Sequence, residues 1–228
     1  MYRLFLLPLA ACTVLSAVPA ATAQTAPHNS APAMQPIVDT VPAARDIPYP
    51  GTMTLSIDAS DTRQNIWRVK QVIPVSAAGP LTLLYPQWLP GKHAARGQID
   101  KLAGLVITAN GRDIGWTRDP LDVFAFHVTV PQDAREIVAE FQFLNPTLAN
   151  QGRIAVTPSM LNLQFETVSL YPAGYYARRI PVQATVTWPQ GWIAFTALRG
   201  KQSGATTRYD PTDYETLIDS PVFAGRHA

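Results

Sequence analysis

The feature that most constrains this chain is a two-residue alternation of apolar and polar side chains, carried in short runs that proline and glycine interrupt. Met53, Leu55 and Ile57 alternate with Thr54, Ser56 and Asp58. Trp67, Val69, Gln71 and Ile73 mark a second run, and Leu81–Tyr85 a third. Val123–Val130 and Ile137–Phe143 follow. Successive side chains of a strand point to opposite faces, so this spacing builds strands rather than helices. Leu102–Thr108 and Asp113–Thr117 flank Asn110-Gly111, the dipeptide that favours a type I′ hairpin turn. Val182–Trp188 and Trp192–Leu198 flank a second turn, Pro189-Gln190-Gly191. The 21 prolines suit such a fold, because a sheet confines proline to turns, edges and strand starts. The expectation is an all-β fold, an antiparallel β-sandwich spanning residues 50–228. One short helix is expected, with Asp213 or Thr212 capping Tyr214–Leu217 and Pro221 ending it.

What precedes the alternation reads differently. Arg3 leads an apolar stretch, Leu4 to Val18, and Ala21-Thr22-Ala23 is a small-x-small cleavage site. Residues 1–23 are therefore expected to be a secretion signal, with Gln24 the first mature residue and the protein periplasmic or secreted. The stretch is short for a membrane span. Leu9-Ala10-Ala11-Cys12 offers a lipoprotein alternative, but the apolar run continues past Cys12 through Val14, Leu15 and Val18, which fits cleavage after Ala23 better. Residues 24–49 are rich in Ala and Pro and poor in large apolar side chains. Such a composition buries too little surface to offset its ordering entropy, so a flexible linker is expected there.

The composition also excludes chemistry. Cys12 is the only cysteine, so the body has no disulfide framework, cysteine metal cluster or cysteine nucleophile. The net charge of +2 is spread without a basic run, which argues against nucleic acid and against a charged membrane patch. Of four histidines, His28 lies in the linker and His227 is penultimate. His93 follows the Pro90-Gly91-Lys92 loop and is expected on the surface, while His127 sits in an alternating run and is expected to be hydrogen-bonded at a sheet face. No His-Glu-x-x-His occurs, and a catalytic zinc takes three protein ligands, so no metal or catalytic residue is assigned. No Gly-x-Ser-x-Gly elbow occurs either. A Ser-His-Asp site stays open, because triads assemble from distant positions, and would need His93 or His127 within reach of Ser and Asp. Glu136, Glu140 and Glu166 read as strand or turn surface.

Tyr85-Pro86-Gln87-Trp88-Leu89-Pro90-Gly91 is the most telling motif. With Ile99–Leu105, Trp116–His127, Met160–Gln164, Leu170–Tyr176 and the closing Asp213–Val222, it resembles the amino-terminal domain of the glycyl aminopeptidase family, zinc metallopeptidases that carry a PDZ domain (metallopeptidase family sixty-one). The resemblance covers Gly51 to Arg226. His93 departs from it, standing where many members have tyrosine.

That family places a thermolysin-like zinc domain with His-Glu-x-x-His, then a PDZ domain, after this point, whereas this chain stops at Ala228. The resemblance therefore implies a non-catalytic module truncated before the zinc domain, with no cofactor of its own. Its partner would be a peptidase catalytic domain, whose peptide cleft it helps to shape. Trp88, Pro90, Gly91, His93, Tyr175, Tyr176 and Asp219 are the candidate docking or substrate-proximal residues. The alternative is an independent periplasmic peptide- or glycan-binding module with Trp88, Tyr175 and Tyr176 as its platform.

Overall fold

The computed structural model describes residues 38–89, 91–148 and 154–227. The expected signal peptide and Pro90 lie outside them. Sixteen strands occur in chain order: β1 (Met53–Asp58), β2 (Ile66–Pro74), β3 (Gly79–Leu84), β4 (Leu102–Ala109), β5 (Arg112–Asp113), β6 (Trp116–Arg118), β7 (Ala125–Val130), β8 (Glu136–Leu144), β9 (Met160–Leu163), β10 (Tyr171–Pro172), β11 (Pro181–Thr187), β12 (Ile193–Phe195), β13 (Gly200–Ser203), β14 (Thr206–Tyr209), β15 (Thr212–Asp213) and β16 (Val222–Gly225). Among the described residues the one α-helix is α1 (Tyr214–Ile218). No helix among the described residues is long and apolar enough to cross a membrane.

The strands form three sheets. The largest runs β13-β14-β11-β1-β2-β8-β4-β5, with β15 also on β11. A four-stranded sheet runs β10-β3-β7-β6, and a three-stranded one β12-β16-β9. Pairing is antiparallel with one exception: β1 and β11 run parallel, Met53 opposite Val182 through Asp58 opposite Thr187. The intervening chain is long enough to return in the same direction, which a tight hairpin cannot do.

Burial follows the alternation closely. Met53, Leu55 and Ile57 of β1, Ile137, Ala139, Phe141 and Phe143 of β8, and Val182, Ala184 and Val186 of β11 are buried while their neighbours face outward. One core draws on all three sheets, from Trp67 and Phe143 through Leu83 and Phe126 to Leu161 and Val222. Hydrogen bonds also join the layers. The Trp116 indole in the four-stranded sheet donates to the Leu105 carbonyl of the large sheet at 3.0 Å.

Asn110 and Gly111 both take positive φ, 50° and 73°, as a type I′ turn requires, and β4 pairs with β5 across them. Asp213 caps α1, its carboxylate accepting from the Thr216 amide at 2.9 Å. Around Pro189-Gln190-Gly191 the chain changes sheet: β11 lies in the large sheet, and β12 pairs with β16 in the small one.

Residues 39–49, assigned to the linker by composition, bond to the body. The Thr40 hydroxyl donates to Asp119. Arg45 bridges to Tyr175, Asp46 pairs with Arg178 and Arg179, and the Tyr49 hydroxyl donates to the Pro74 carbonyl. Tyr49 is buried, its ring set edge-on against Tyr175 at 5.0 Å. A single aromatic anchor and a few polar bonds hold this strap, too sparse a set for hydropathy to reveal.

Candidate functional site

The chain leaves β3 through Tyr85 into the Trp-Leu-Pro-Gly loop. Tyr85 anchors the start: its amide donates to Phe124, its ring stacks on the Phe124 ring, and its buried hydroxyl donates to the Thr167 carbonyl at 3.1 Å. Burial, with Glu166 and Asp100 adding to it, pushes the phenol well above its usual pKa, so it stays a neutral donor. The loop closes on itself, the Gln87 carbonyl accepting from both the Arg96 and Gly97 amides. Gly97 has to be glycine, because a Cβ there would lie 2.1 Å from the Pro86 oxygen.

Within this closed loop Leu89 turns inward and is buried, while Trp88 stands 64% exposed. Gly91 takes a φ of 70°, the Lys92 amide closes the turn on the Leu89 carbonyl, and His93 is exposed. The second signature, Ile218-Asp219-Ser220-Pro221, ends α1. The Ser220 amide donates to Leu217 and its hydroxyl to Thr216, leaving Asp219 exposed.

These two segments, far apart in sequence, line one cleft of about 110 Å³ formed by Leu89, Lys92, Gln164, Glu166, Ile218, Asp219 and Pro221. The sequence singled out Asp219 there but not Lys92 or Gln164. Glu166, expected on the surface, is buried. It belongs to a single 3₁₀ turn, Phe165–Thr167, packed under the loop, and no periodicity identifies so short a turn.

Tyr175 and Tyr176 lie elsewhere. β10 runs antiparallel to β3, Tyr171 opposite Leu84, so Trp88 and the two tyrosines leave that strand pair in opposite directions. Tyr175 is half-buried on Tyr49, and Tyr176 stacks beneath the Arg178 guanidinium at 4.4 Å. The three rings do not form one platform.

His127 is hydrogen-bonded at a sheet face. Its Nε2 lies 2.8 Å from Asp119 Oδ2 and its Nδ1 3.1 Å from the Thr82 hydroxyl, Thr82 being its cross-strand partner. The order Asp-His-hydroxyl resembles a relay, but the hydroxyl belongs to a buried threonine, and the cleft beside His127 does not include it. A nucleophile needs room for its carbonyl target. Asp119 instead collects bonds from Thr40, the Asp122 amide, His127 and the Leu121 amide, which hold its carboxyl far below the ordinary carboxylate range. The cluster ties the strap to the four-stranded sheet.

Among the described residues no group of three or more His, Cys, Asp or Glu side chains is placed to hold a metal ion.

Residues 54–226 match the family model of the Peptidase M61 N-terminal domain. Among solved structures, the chain is similar to an aminopeptidase N family protein from Idiomarina loihiensis, with a TM-score of 0.62 at 17% identity over 76% of this chain and 29% of that one. Yeast LTA4 hydrolase gives 0.47 at 11% identity, over 86% and 31%. An M1 zinc metallopeptidase from Deinococcus radiodurans gives 0.44 at 10%, over 79% and 42%. The chain thus spans well under half the length of each. No curated protein sequence matches.

Proposed function

We propose, because the chain belongs to the Peptidase M61 N-terminal domain family, that it is a non-catalytic accessory module of a zinc aminopeptidase of the glycyl aminopeptidase kind. It docks beside a catalytic domain and forms one wall of the peptide cleft. The zinc ligands and the catalytic glutamate belong to that domain. The export signal read from residues 1–23 sets the encounter in the periplasm or outside the cell.

One observation carries the reading: the two signature segments converge on a single cleft, and the residue just before its lining Leu89 is the exposed Trp88. A large, rigid aromatic held by a self-closed loop suits docking, because little side-chain freedom is lost on contact. Asp219 and Lys92 give the same edge polar groups that can face a peptide or a neighbouring surface.

The test adds residues 24–228 to the zinc domain of a peptidase M61 enzyme produced without its own amino-terminal domain, and follows hydrolysis of glycyl-p-nitroanilide. Saturating chain should raise kcat/KM, and Trp88→Ala should raise the concentration needed. Rates indifferent to the chain would remove the accessory role.

A further inference from the structure

The outward faces of the three sheets differ. That of the large sheet is mainly polar, with Ser56, Asp58, Arg68, Lys70, Glu140 and Thr185 lining a shallow trough that also takes in the exposed Val106. That of the four-stranded sheet carries Thr82 and His127, with Thr40 of the strap bonded to the adjacent Asp119. The three-stranded sheet turns large apolar side chains to both sides, with one polar residue, Asn162, opposite Phe223 on the outward side, where its side-chain oxygen accepts from the Ala155 amide. Val222, Ala224, Leu161 and Leu163 pack into the core. Phe195 lies opposite Phe223, and Ile193 opposite Gly225, which in turn faces Met160. Strand alternation puts these side chains on the outward face, where Met160 and Ile193 are each 48% exposed and Phe195 and Phe223 each 54%.

Four large apolar side chains in register on one open face form the kind of patch that soluble proteins keep for a partner. The sheet's edges restrict how a partner can engage it. The Gln202 side chain donates to the Trp192 carbonyl and accepts from the Ala194 amide, so it occupies the free edge of β12 as a surrogate strand. Ala155 and Val156 close the edge of β9. Strand addition is blocked on both sides, and the face remains.

The face also adjoins the cleft. β9 ends one residue before Gln164, and β16 begins one residue after Pro221, both of which line it. We infer that the outward face of β12-β16-β9 is the main apolar interface to the catalytic domain, continuous with the cleft lined by Leu89, Asp219 and Pro221. This rests on the accessory reading above and names the surface that reading lacks. The occupant is an apolar patch on the zinc domain, seated on Phe195 and Phe223, with Asp219 at the polar rim.

The experiment is hydrogen exchange and calorimetric titration of residues 24–228 with the same zinc domain. Amides of 193–195 and 222–225 should gain protection in the complex. The double variant Phe195→Ser, Phe223→Ser should weaken association about tenfold or more, as loss of central aromatic anchors does. Its thermal midpoint should stay near wild type, because both side chains are half in water. Ile193→Thr with Met160→Gln repeats the test should the first pair fold poorly. Full affinity in either folded variant overturns the inference while leaving the cleft as the contact. Self-association of the chain through this face, without binding to the zinc domain, also overturns it. No complex under any condition defeats the accessory reading itself.

Discussion

Gln71 and Asp119 show how single polar side chains replace backbone partners in this fold. Gln71 stands at an inward position of β2, fully buried, and its amide donates to the Leu170 carbonyl at 2.6 Å and accepts from the Leu170 amide at 2.9 Å. It pairs the segment before β10 as a strand would. Gln71→Leu keeps the volume but orphans both Leu170 groups in the core, and should lower unfolding free energy in urea by about 3 kcal/mol. A loss below 0.5 kcal/mol or so would mean that Leu170 finds other partners. Asp119 makes a pH prediction. Its folded-state pKa is depressed, so its stabilisation is present above the unfolded value near 3.9 and is lost as pH falls below it. Unfolding followed from pH 6 to pH 2 or so should show a steeper acid limb for wild type than for Asp119→Asn. Parallel limbs would remove Asp119 from the acid response.

At the scale of elements, two segments lie outside the regular strands: the Trp88 loop, which positions the cleft, and the strap of residues 39–49, which braces the body. The Trp88 loop depends on the Gly97 contact. Gly97→Ala drives a methyl group into the Pro86 carbonyl and should open the loop, seen as faster amide exchange at Arg96, without unfolding the sheets. The strap depends on Tyr49. A chain beginning at Gly51 should be less stable than one beginning at Asp39 by about 3 kcal/mol, since it loses a buried aromatic ring. Equal midpoints for the two would make the strap a passive covering. The longest strands, the Asn110-Gly111 hairpin and the Asp213 cap were legible in the sequence because each rests on a local rule: alternation, turn chemistry or capping. β9, β13, β14 and β16 were not, being four residues each and formed by distant pairing. The parallel β1–β11 pair was hidden for the same reason. Of the site, Trp88, Gly91 and Asp219 were visible as motif residues, whereas the cleft between their two segments needs the fold.

For the whole molecule, the distribution of surface chemistry matters most. Two sheets turn mainly polar or strapped faces outward, and the third turns a mainly apolar face outward beside the cleft built by the two signature segments. Exposed apolar faces mark interaction sites in soluble proteins, which is the ground for the proposed contact with a catalytic domain. The described residues offer no ligand set for a catalytic metal, so metal analysis of purified residues 24–228 should find well under one zinc per chain. The central claim is that the chemistry lies in another polypeptide segment. The most direct measurement is release of glycine from a glycyl peptide by this chain alone, with and without a chelator. The account predicts no turnover above buffer in either case. Turnover by the pure chain that a chelator abolishes would contradict it.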